Sequence, residues 1–444
     1  MRTLMLCLSC LTLALPAAAQ TAPPPAPSTA PVEAAPALKA RLKELIGILA
    51  GTADYDTFFS PGFREKVPKA KFDAINAQLT AASGPVVNIE DIKLNTPYSG
   101  NVTVAYRDAI AAVAIVVDPN EPHQVTGLLI KGFTGREKSL DEITTVLKGL
   151  HGETGFALAK LGKGAPEPLI QHNADRAFAI GSAFKLVILA ELIRETNAGT
   201  RKWDDLVTLD GSVLPGGGYM LKPKGTQVSL RELATQMISI SDNSATDILL
   251  KTLGRDKVEA MLPVLGIKDT ARNRPFMGTL EMFKLKGIEK GAMAQRYLAL
   301  DEAGRRKMLD GEVAAAPMLM IDPMLFRDGK PVLIDKLEWF ETPNDLVRVM
   351  DWIRRNTEGP KGGDARAVLS KNGGIPPATS EKWQFAGYKG GSEPGVMNMT
   401  LLLQAKNGDW YVLTGSWNDT AQEVEQGRFA GLIGKAAELA APAP

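Results

Sequence analysis

The segment Ser182-Ala-Phe-Lys185 stands directly before an apolar run at residues 186–190. This run predicts a buried helix that begins at the segment. Residues three positions apart lie on one face of a helix, so the amine of Lys185 can reach the hydroxyl of Ser182. A serine hydroxyl is a weak nucleophile until a base takes its proton, and a desolvated lysine can be that base. The segment therefore predicts a nucleophilic serine, on condition that the rest of the chain supplies its partners.

Two further motifs follow in the chain. Ser241-Asp-Asn243 lies between a helix that opens on the capping box Ser229-Leu-Arg-Glu232 and a predicted helix at residues 244–253. Lys389-Gly-Gly391 lies at the end of a predicted strand and is followed by Ser392. Glycines in a strand allow a ligand to approach the backbone closely. The chain thus offers a second serine and a second lysine as partners of the first pair.

In this order, the three motifs resemble the S-x-x-K, S-D-N and K-T-G signature of class A β-lactamases and penicillin-binding proteins. The flanking sequences at residues 178–185 and 230–247 are similar to the same family, and Trp339-Phe-Glu-Thr-Pro343 resembles its Thr-Pro helix start. The resemblance covers most of residues 140–440. It implies a mixed α/β fold in which a sheet is covered by helices, which also agrees with the predicted strands and helices at both ends of this region.

The resemblance implies a catalytic role for four residues. Ser182 would attack a carbonyl carbon and form an acyl-enzyme, with Lys185 as its base. Ser241 would pass a proton to the departing amine, and Lys389 would lower the pKa of Ser241. Asp242 is expected to hold the loop between the two helices.

The resemblance also implies how a substrate is held. Asn243 would orient Lys185 or the substrate amide. Backbone N–H groups of Ser182 and Ser392 would form an oxyanion hole, helped by the helix N-terminus at Ser182. Lys389, Gly391 and Ser392 would bind the substrate beside this hole.

The chain departs from the family pattern in two places. The third motif reads Lys-Gly-Gly, so the middle side chain of Lys-Thr-Gly is absent. The Glu-x-x-Leu-Asn context of the deacylating glutamate is also absent. Glu281 lies at about the right place and is the candidate deacylation base, with a helix-surface carboxylate as the alternative. The methionine-rich segment at residues 269–336 has no clear counterpart; it is expected to line or cover the site, or else to pack as an inserted helical pair.

The chain is predicted to contain four regions. Arg2, the apolar stretch at residues 4–15 and Ala17-Ala-Ala19 predict a signal peptide over residues 1–19, and hence a secreted or periplasmic protein. A Pro- and Ala-rich linker follows at residues 20–36. A small α+β domain is predicted at residues 37–135, and the hydrolase domain at residues 140–442.

The small domain shows helical apolar spacing from Leu38 to Leu49, a stop at Gly51 and a second helix at residues 69–81. Four strands are predicted after them, at residues 86–93, 101–107, 111–117 and 125–133. Helices followed by such a meander resemble the cone-shaped folds of the nuclear-transport-factor-2-like class. Such a domain can hold a small ligand or act as a spacer.

Composition limits the function further. Lys and Arg total 51 against 50 Asp and Glu, and no basic patch suggests nucleic acid. The histidines His123, His151 and His172 lack a triad-like or metal-binding context, and both cysteines lie in the predicted signal peptide. The expected partner is therefore a small molecule, without a metal, a cofactor or a membrane span.

Three functions remain open. The first is a β-lactamase that acts through a Ser182 acyl-enzyme. The second is an esterase or D,D-peptidase-like acyl hydrolase with little β-lactamase turnover, and the third is a β-lactam-binding protein that stays acylated. The missing glutamate context favours the second for turnover.

Overall fold

A computed structural model describes residues 32–442. The predicted signal peptide and residues 20–31 of the predicted linker lie outside the described residues. Within the part that is described, no helix is both long enough and apolar enough to cross a membrane.

The N-terminal part consists of four helices followed by a four-stranded antiparallel meander. The predicted helices and strands of this part are all present. The helices are α1 Pro36–Leu49, α2 Tyr55–Phe58, α3 Pro61–Lys66 and α4 Lys69–Ser83, and the strands are β1 Val86–Thr96, β2 Ser99–Tyr106, β3 Ala109–Val117 and β4 Val125–Gly135.

The core of this part lies between α1 and the sheet. Leucines at helical spacing on α1 are buried against alternate residues of β2 and β3, since successive strand residues point to opposite faces. The rings of Phe58, Phe59 and Tyr106 fill the space between them. Strand β4 contacts the C-terminal helix of the chain, Gln426–Leu439, so the two parts pack against each other.

The larger part is built on a five-stranded antiparallel sheet whose strands follow each other in the order 383–393, 396–405, 410–418, 153–161 and 167–172. Strands from both ends of this part of the sequence therefore lie side by side. Its strands, including two short pairs outside the sheet, are β5 Glu153–Leu161, β6 Glu167–His172, β7 Phe178–Ala179, β8 Leu206–Thr208, β9 Gln227–Ser229, β10 Phe340–Glu341, β11 Trp383–Glu393, β12 Val396–Ala405 and β13 Trp410–Asn418.

Helices cover both faces of this sheet. On one face the helices Leu140–Lys148 and Gln426–Leu439 pack against Leu401 and Leu403, and on the other face the central helices pack against Leu402. This confirms the predicted fold class. The helices are α5 Leu140–Lys148, α6 Lys185–Asn197, α7 Leu230–Ser239, α8 Asn243–Leu253, α9 Arg255–Val264, α10 Thr279–Gly287, α11 Ala292–Leu298, α12 Glu302–Met308, α13 Pro343–Asn356, α14 Gly363–Ser370, α15 Pro377–Ser380 and α16 Gln426–Leu439.

Two predicted boundaries differ most from those in the structure. The sequence predicts a last helix over residues 420–440, but the helix α16 begins at Gln426. The Asp419 side chain accepts hydrogen bonds from the backbone N–H groups of Ala421 and Gln422, which holds this stretch in a turn. Strand β11 was expected to end at Lys389, but it continues to Glu393 because residues 389–393 all pair with β12.

Candidate active site

Ser182 lies in a single 3₁₀ turn, Gly181–Phe184, and Lys185 begins α6 directly after it. The ring of Phe184 stacks on Trp339 with 3.6 Å between centroids, which fixes the turn against the segment before β10. Gly181 has a φ of +49°, and a Cβ there would lie 3.0 Å from the backbone nitrogen of Ser392. The turn is therefore held tightly between Trp339 and strand β11.

Lys185 is fully buried, and its amine contacts the loop between α7 and α8. Its Nζ lies 2.7 Å from the Ser241 carbonyl oxygen, 2.7 Å from Asn243 Oδ1 and 3.1 Å from Ser241 Oγ. Burial lowers the pKa of Lys185 to about 7. A neutral amine has two N–H donors and one lone pair. It can therefore donate to the two carbonyl oxygens and accept the proton of the Ser241 hydroxyl.

Lys389 completes this arrangement from the sheet. It is 2% exposed, and its Nζ donates to Ser241 Oγ at 3.0 Å and to the Gly390 carbonyl at 2.6 Å. Burial, together with the nearby Lys185, holds the pKa of Lys389 well below its usual range. The Ser241 hydroxyl thus contacts two buried lysines, so it can relay a proton to or from Lys185.

Asp242 holds the loop that carries Ser241 and Asn243, as predicted. Its carboxylate accepts hydrogen bonds from the backbone of Ala245 and Gly218 and from the Ser244 hydroxyl. Asp242, not Ser241, is the N-cap of α8. Ser241 has a φ of +60°, an uncommon backbone conformation for serine, and both its carbonyl oxygen and its hydroxyl contact Lys185.

Close packing explains why both Gly390 and Gly391 of the third motif are glycines, and the neighbouring atoms differ between the two positions. A Cβ on Gly391 would collide with the Ile180 carbonyl and with the Ser182 nitrogen, so the strand backbone lies directly against the Ser182 turn. A Cβ on Gly390 would meet the Tyr388 hydroxyl and lie 2.7 Å from the Asn398 carbonyl oxygen. The ring of Tyr388 therefore takes the space near the middle position, which explains why the motif reads Lys-Gly-Gly here.

We expect Gly391→Ala to lower the rate of Ser182 acylation by about 10²-fold or more. The added methyl group forces the backbone of Ser182 and Ser392 apart, and loss of one oxyanion donor alone costs about 10²–10³ in rate. Stopped-flow acylation measures the effect, and Gly62→Ala, at a glycine of α3 where an added Cβ meets open space, is the control for the methyl group alone. Equal acylation by Gly391→Ala and wild type would contradict the close packing described above.

Ser182 faces two cavities. One, of about 380 Å³, is lined by Ser241, Asn243, Lys389 and the 390–392 backbone, so it brings the predicted residues together. The other, of about 290 Å³, is lined by Asn243, by Thr279, Met282 and Phe283 of α10, by Phe326, and by three glutamates. The segment at residues 269–336 therefore lines the site, which is one of its two predicted roles.

Glu281 does not line either cavity of Ser182. Its carboxylate pairs with both terminal nitrogens of Arg255, at 2.5 and 3.1 Å, and accepts the Gly278 N–H at 2.7 Å. These bonds cap the start of α10, while Thr279 and Met282 on the same helix face the cavity. The geometry gives Glu281 a structural role and lends no support to its predicted role as deacylation base.

The sequence prediction missed a buried ion cluster in the wall of the second cavity. Lys286 Nζ lies 2.8 Å from Glu338 Oε1 and 2.6 Å from Glu393 Oε1. Glu393 directly follows Ser392, so its place beside the third motif was a signal available in the sequence. No local pattern marks Glu338 or Lys286, because they come from separate segments.

The histidines lie elsewhere. His151 pairs with Asp419 at 2.5 Å, and His172 contacts Thr154. Within residues 32–442, no three His, Cys, Asp or Glu side chains are grouped so that they could hold a metal ion.

The chain is similar to proteins of one known family. Residues 138–438 match the model of a family described as the beta-lactamase enzyme family. The chain is 30% identical over 156 residues to beta-lactamase 1 of Streptomyces cacaoi, covering 28% of this chain and 48% of that protein. It is 29% identical over 150 residues to beta-lactamase AST-1 of Nocardia asteroides, covering 33% and 47%. The chain thus spans about half the length of these relatives.

A solved structure is also similar: a beta-lactamase from Sphaerobacter thermophilus, with a TM-score of 0.45, 21% identity and coverage of 67% of this chain and 94% of that one. The family match covers more than half of the chain. The protein therefore belongs to the beta-lactamase enzyme family.

Proposed function

We propose that the protein is an exported hydrolase that opens β-lactam amides through an acyl-enzyme on Ser182. The observation that carries the proposal is the chain of contacts from Lys389 through Ser241 to Lys185, together with the cavity that Ser182, Ser241 and Lys389 line in common. A buried neutral lysine next to a serine is the arrangement needed to activate a hydroxyl at neutral pH.

Acylation would proceed in two proton transfers. Ser182 Oγ bonds to the lactam carbonyl carbon and gives its proton to Lys185, while the carbonyl oxygen becomes an oxyanion held by the Ser182 and Ser392 N–H groups. As the C–N bond breaks, the amine takes the Ser241 hydroxyl proton, and Lys185 returns its proton to Ser241. Lys389 and Ser392 would bind the substrate carboxylate beside this path.

The acylation rate should depend on pH through Lys185. Because burial lowers its pKa to about 7, the neutral base form grows as pH rises through that value. We expect the acylation rate to rise about tenfold per pH unit below pH 7 and to level off above it. Single-turnover acylation between pH 5 and 9 measures the profile; a rate that falls as pH rises from 5 to 7 would contradict a lysine base.

One observation favours the second candidate function, an esterase with little β-lactamase turnover. Glu281, the sequence candidate for deacylation, is bound to Arg255 and lines neither cavity of Ser182. The two functions are distinguished by measuring turnover of two substrates, a chromogenic cephalosporin and a p-nitrophenyl ester. Multiple turnovers of the cephalosporin support the β-lactamase; ester turnover with one stoichiometric burst on the cephalosporin supports the esterase.

Export is proposed from Arg2, the apolar stretch at residues 4–15 and Ala17-Ala-Ala19. N-terminal sequencing of protein secreted from a bacterial host should find a start at residue 20. A secreted product that still begins at Met1 would contradict the proposed cleavage.

A further inference from the structure

Lys286, Glu338 and Glu393 form a buried cluster. In it the amine of Lys286 contacts the carboxyl groups of both glutamates. The side chains of Lys286 and Glu338 are 0% and 1% exposed, and that of Glu393 is 10% exposed. Glu338 Oε2 also accepts the Trp339 N–H at 3.2 Å. Glu338 is therefore fixed from both sides, and Glu393 is the member with the greater access to the cavity.

The place of the cluster ties it to the reaction. Glu338 and Glu393 both line the 290 Å³ cavity that also contains Ser182 and Asn243. A cavity of this volume is only a few water diameters across, so a water between the Glu393 carboxylate and a Ser182 ester is within the reach of a general base. The chain also links Glu393 to the predicted oxyanion hole. Glu393 directly follows Ser392, whose backbone N–H belongs to that hole.

We propose that Glu393 is the base that activates the water which deacylates Ser182, and that Lys286 and Glu338 are positioning residues for it. This inference rests on the proposed function, because it needs an acyl group on Ser182. This chain lacks the Glu-x-x-Leu-Asn context of the deacylating glutamate. Glu393 of the cluster would take the role of that glutamate.

The step balances without a further reactant. The water oxygen bonds to the acyl carbon while a water proton moves to the Glu393 carboxylate. The C–Oγ bond then breaks, and the same carboxyl group returns the proton toward Ser182 Oγ as the acid leaves. Burial and the neighbouring Glu338 hold the pKa of Glu393 well above its usual range, so its basic form grows as pH rises. Lys286 on α10, Glu338 before β10 and Glu423 before α16 are the charged groups that share this wall.

The test is single-turnover kinetics with benzylpenicillin, in which intact-protein mass follows formation and loss of the adduct. We expect Glu393→Gln to acylate within about threefold of wild type and to lose the adduct about 10²–10⁴-fold more slowly. The amide keeps the shape of the side chain and still accepts from Lys286. Glu121→Gln, at a side chain that is 91% exposed in the N-terminal part, is the matched control and should behave as wild type.

A second variant tests the positioning role. Glu338→Gln removes a charge that raises the Glu393 pKa, so the pH profile of deacylation should move to lower pH while Ser182 still acylates. A purely structural role for Glu338 would leave the midpoint of that profile in place. The experiment with Glu338→Gln can still be carried out if Glu393→Gln fails to fold.

The outcomes separate the two proposals. An adduct that forms on wild type and leaves Glu393→Gln as fast as wild type overturns the role of Glu393 alone. A wild-type adduct that persists for hours overturns it as well. If wild type neither forms an adduct with benzylpenicillin nor hydrolyses it, the proposed function fails, and the role of Glu393 falls with it.

Discussion

Ser182→Ala should abolish β-lactam and ester hydrolysis, with a loss of at least about 10³-fold. The substitution deletes the hydroxyl oxygen that forms the covalent bond in the proposed mechanism. Lys185 and Ser241 remain in contact with each other, but neither is expected to replace this nucleophile. Steady-state hydrolysis of a chromogenic cephalosporin and of a p-nitrophenyl ester measures the loss.

The control for this substitution is Ser212→Ala, at an exposed serine before α7. It should keep full activity, and both variants should unfold at the wild-type temperature because neither leaves a large void. Full hydrolysis by Ser182→Ala would show that another residue is the nucleophile and would remove the basis of the whole site assignment.

Lys185→Met should lower the acylation rate by about 10²–10⁴-fold, which is the range for loss of a general base. Methionine fills the same buried space but has no amine, so Ser182 loses the base proposed to take its proton, and Ser241 loses its contact with that base. The Ser241 carbonyl and Asn243 Oδ1 also lose a donor, and each unpaired group costs about 1–3 kcal/mol of stability. The acylation rate is therefore compared at a temperature where thermal unfolding shows both proteins to be folded.

Lys251→Met is the matched control, since Lys251 lies on α8 with a side chain that is 66% exposed. It should acylate as wild type does. If Lys185→Met acylated within about threefold of wild type under folded conditions, Lys185 would not be the base, and the pH profile assigned to it would need another group.

The sequence predicted much of this site because its parts are local. Ser182 and Lys185 lie within one turn, and Ser241 and Asn243 lie within one loop, so spacing alone indicated that each pair would be close. The contact of Lys389 with Ser241 is long-range. It was predicted only from the resemblance to the family, and the structure places Lys389 Nζ 3.0 Å from Ser241 Oγ.

Other features could not be predicted because they depend on packing between distant segments. Glu281 matches the expected chain position of the deacylating glutamate, but its pairing with Arg255 is decided by how α9 meets α10. Glu338 and Lys286 come together only when the segment before β10 packs against α10. Gly390 looked like a lost side chain in the sequence, and the packing of Tyr388 explains it.

The central claim is that Ser182 becomes acylated, and the most direct measurement is the mass of the protein after reaction with benzylpenicillin at short times, followed by peptide mapping. One covalent adduct per chain is expected at these short times, on the peptide that contains Ser182, and no adduct is expected on Ser182→Ala. An adduct on any other residue, or an equal adduct on Ser182→Ala, would contradict it.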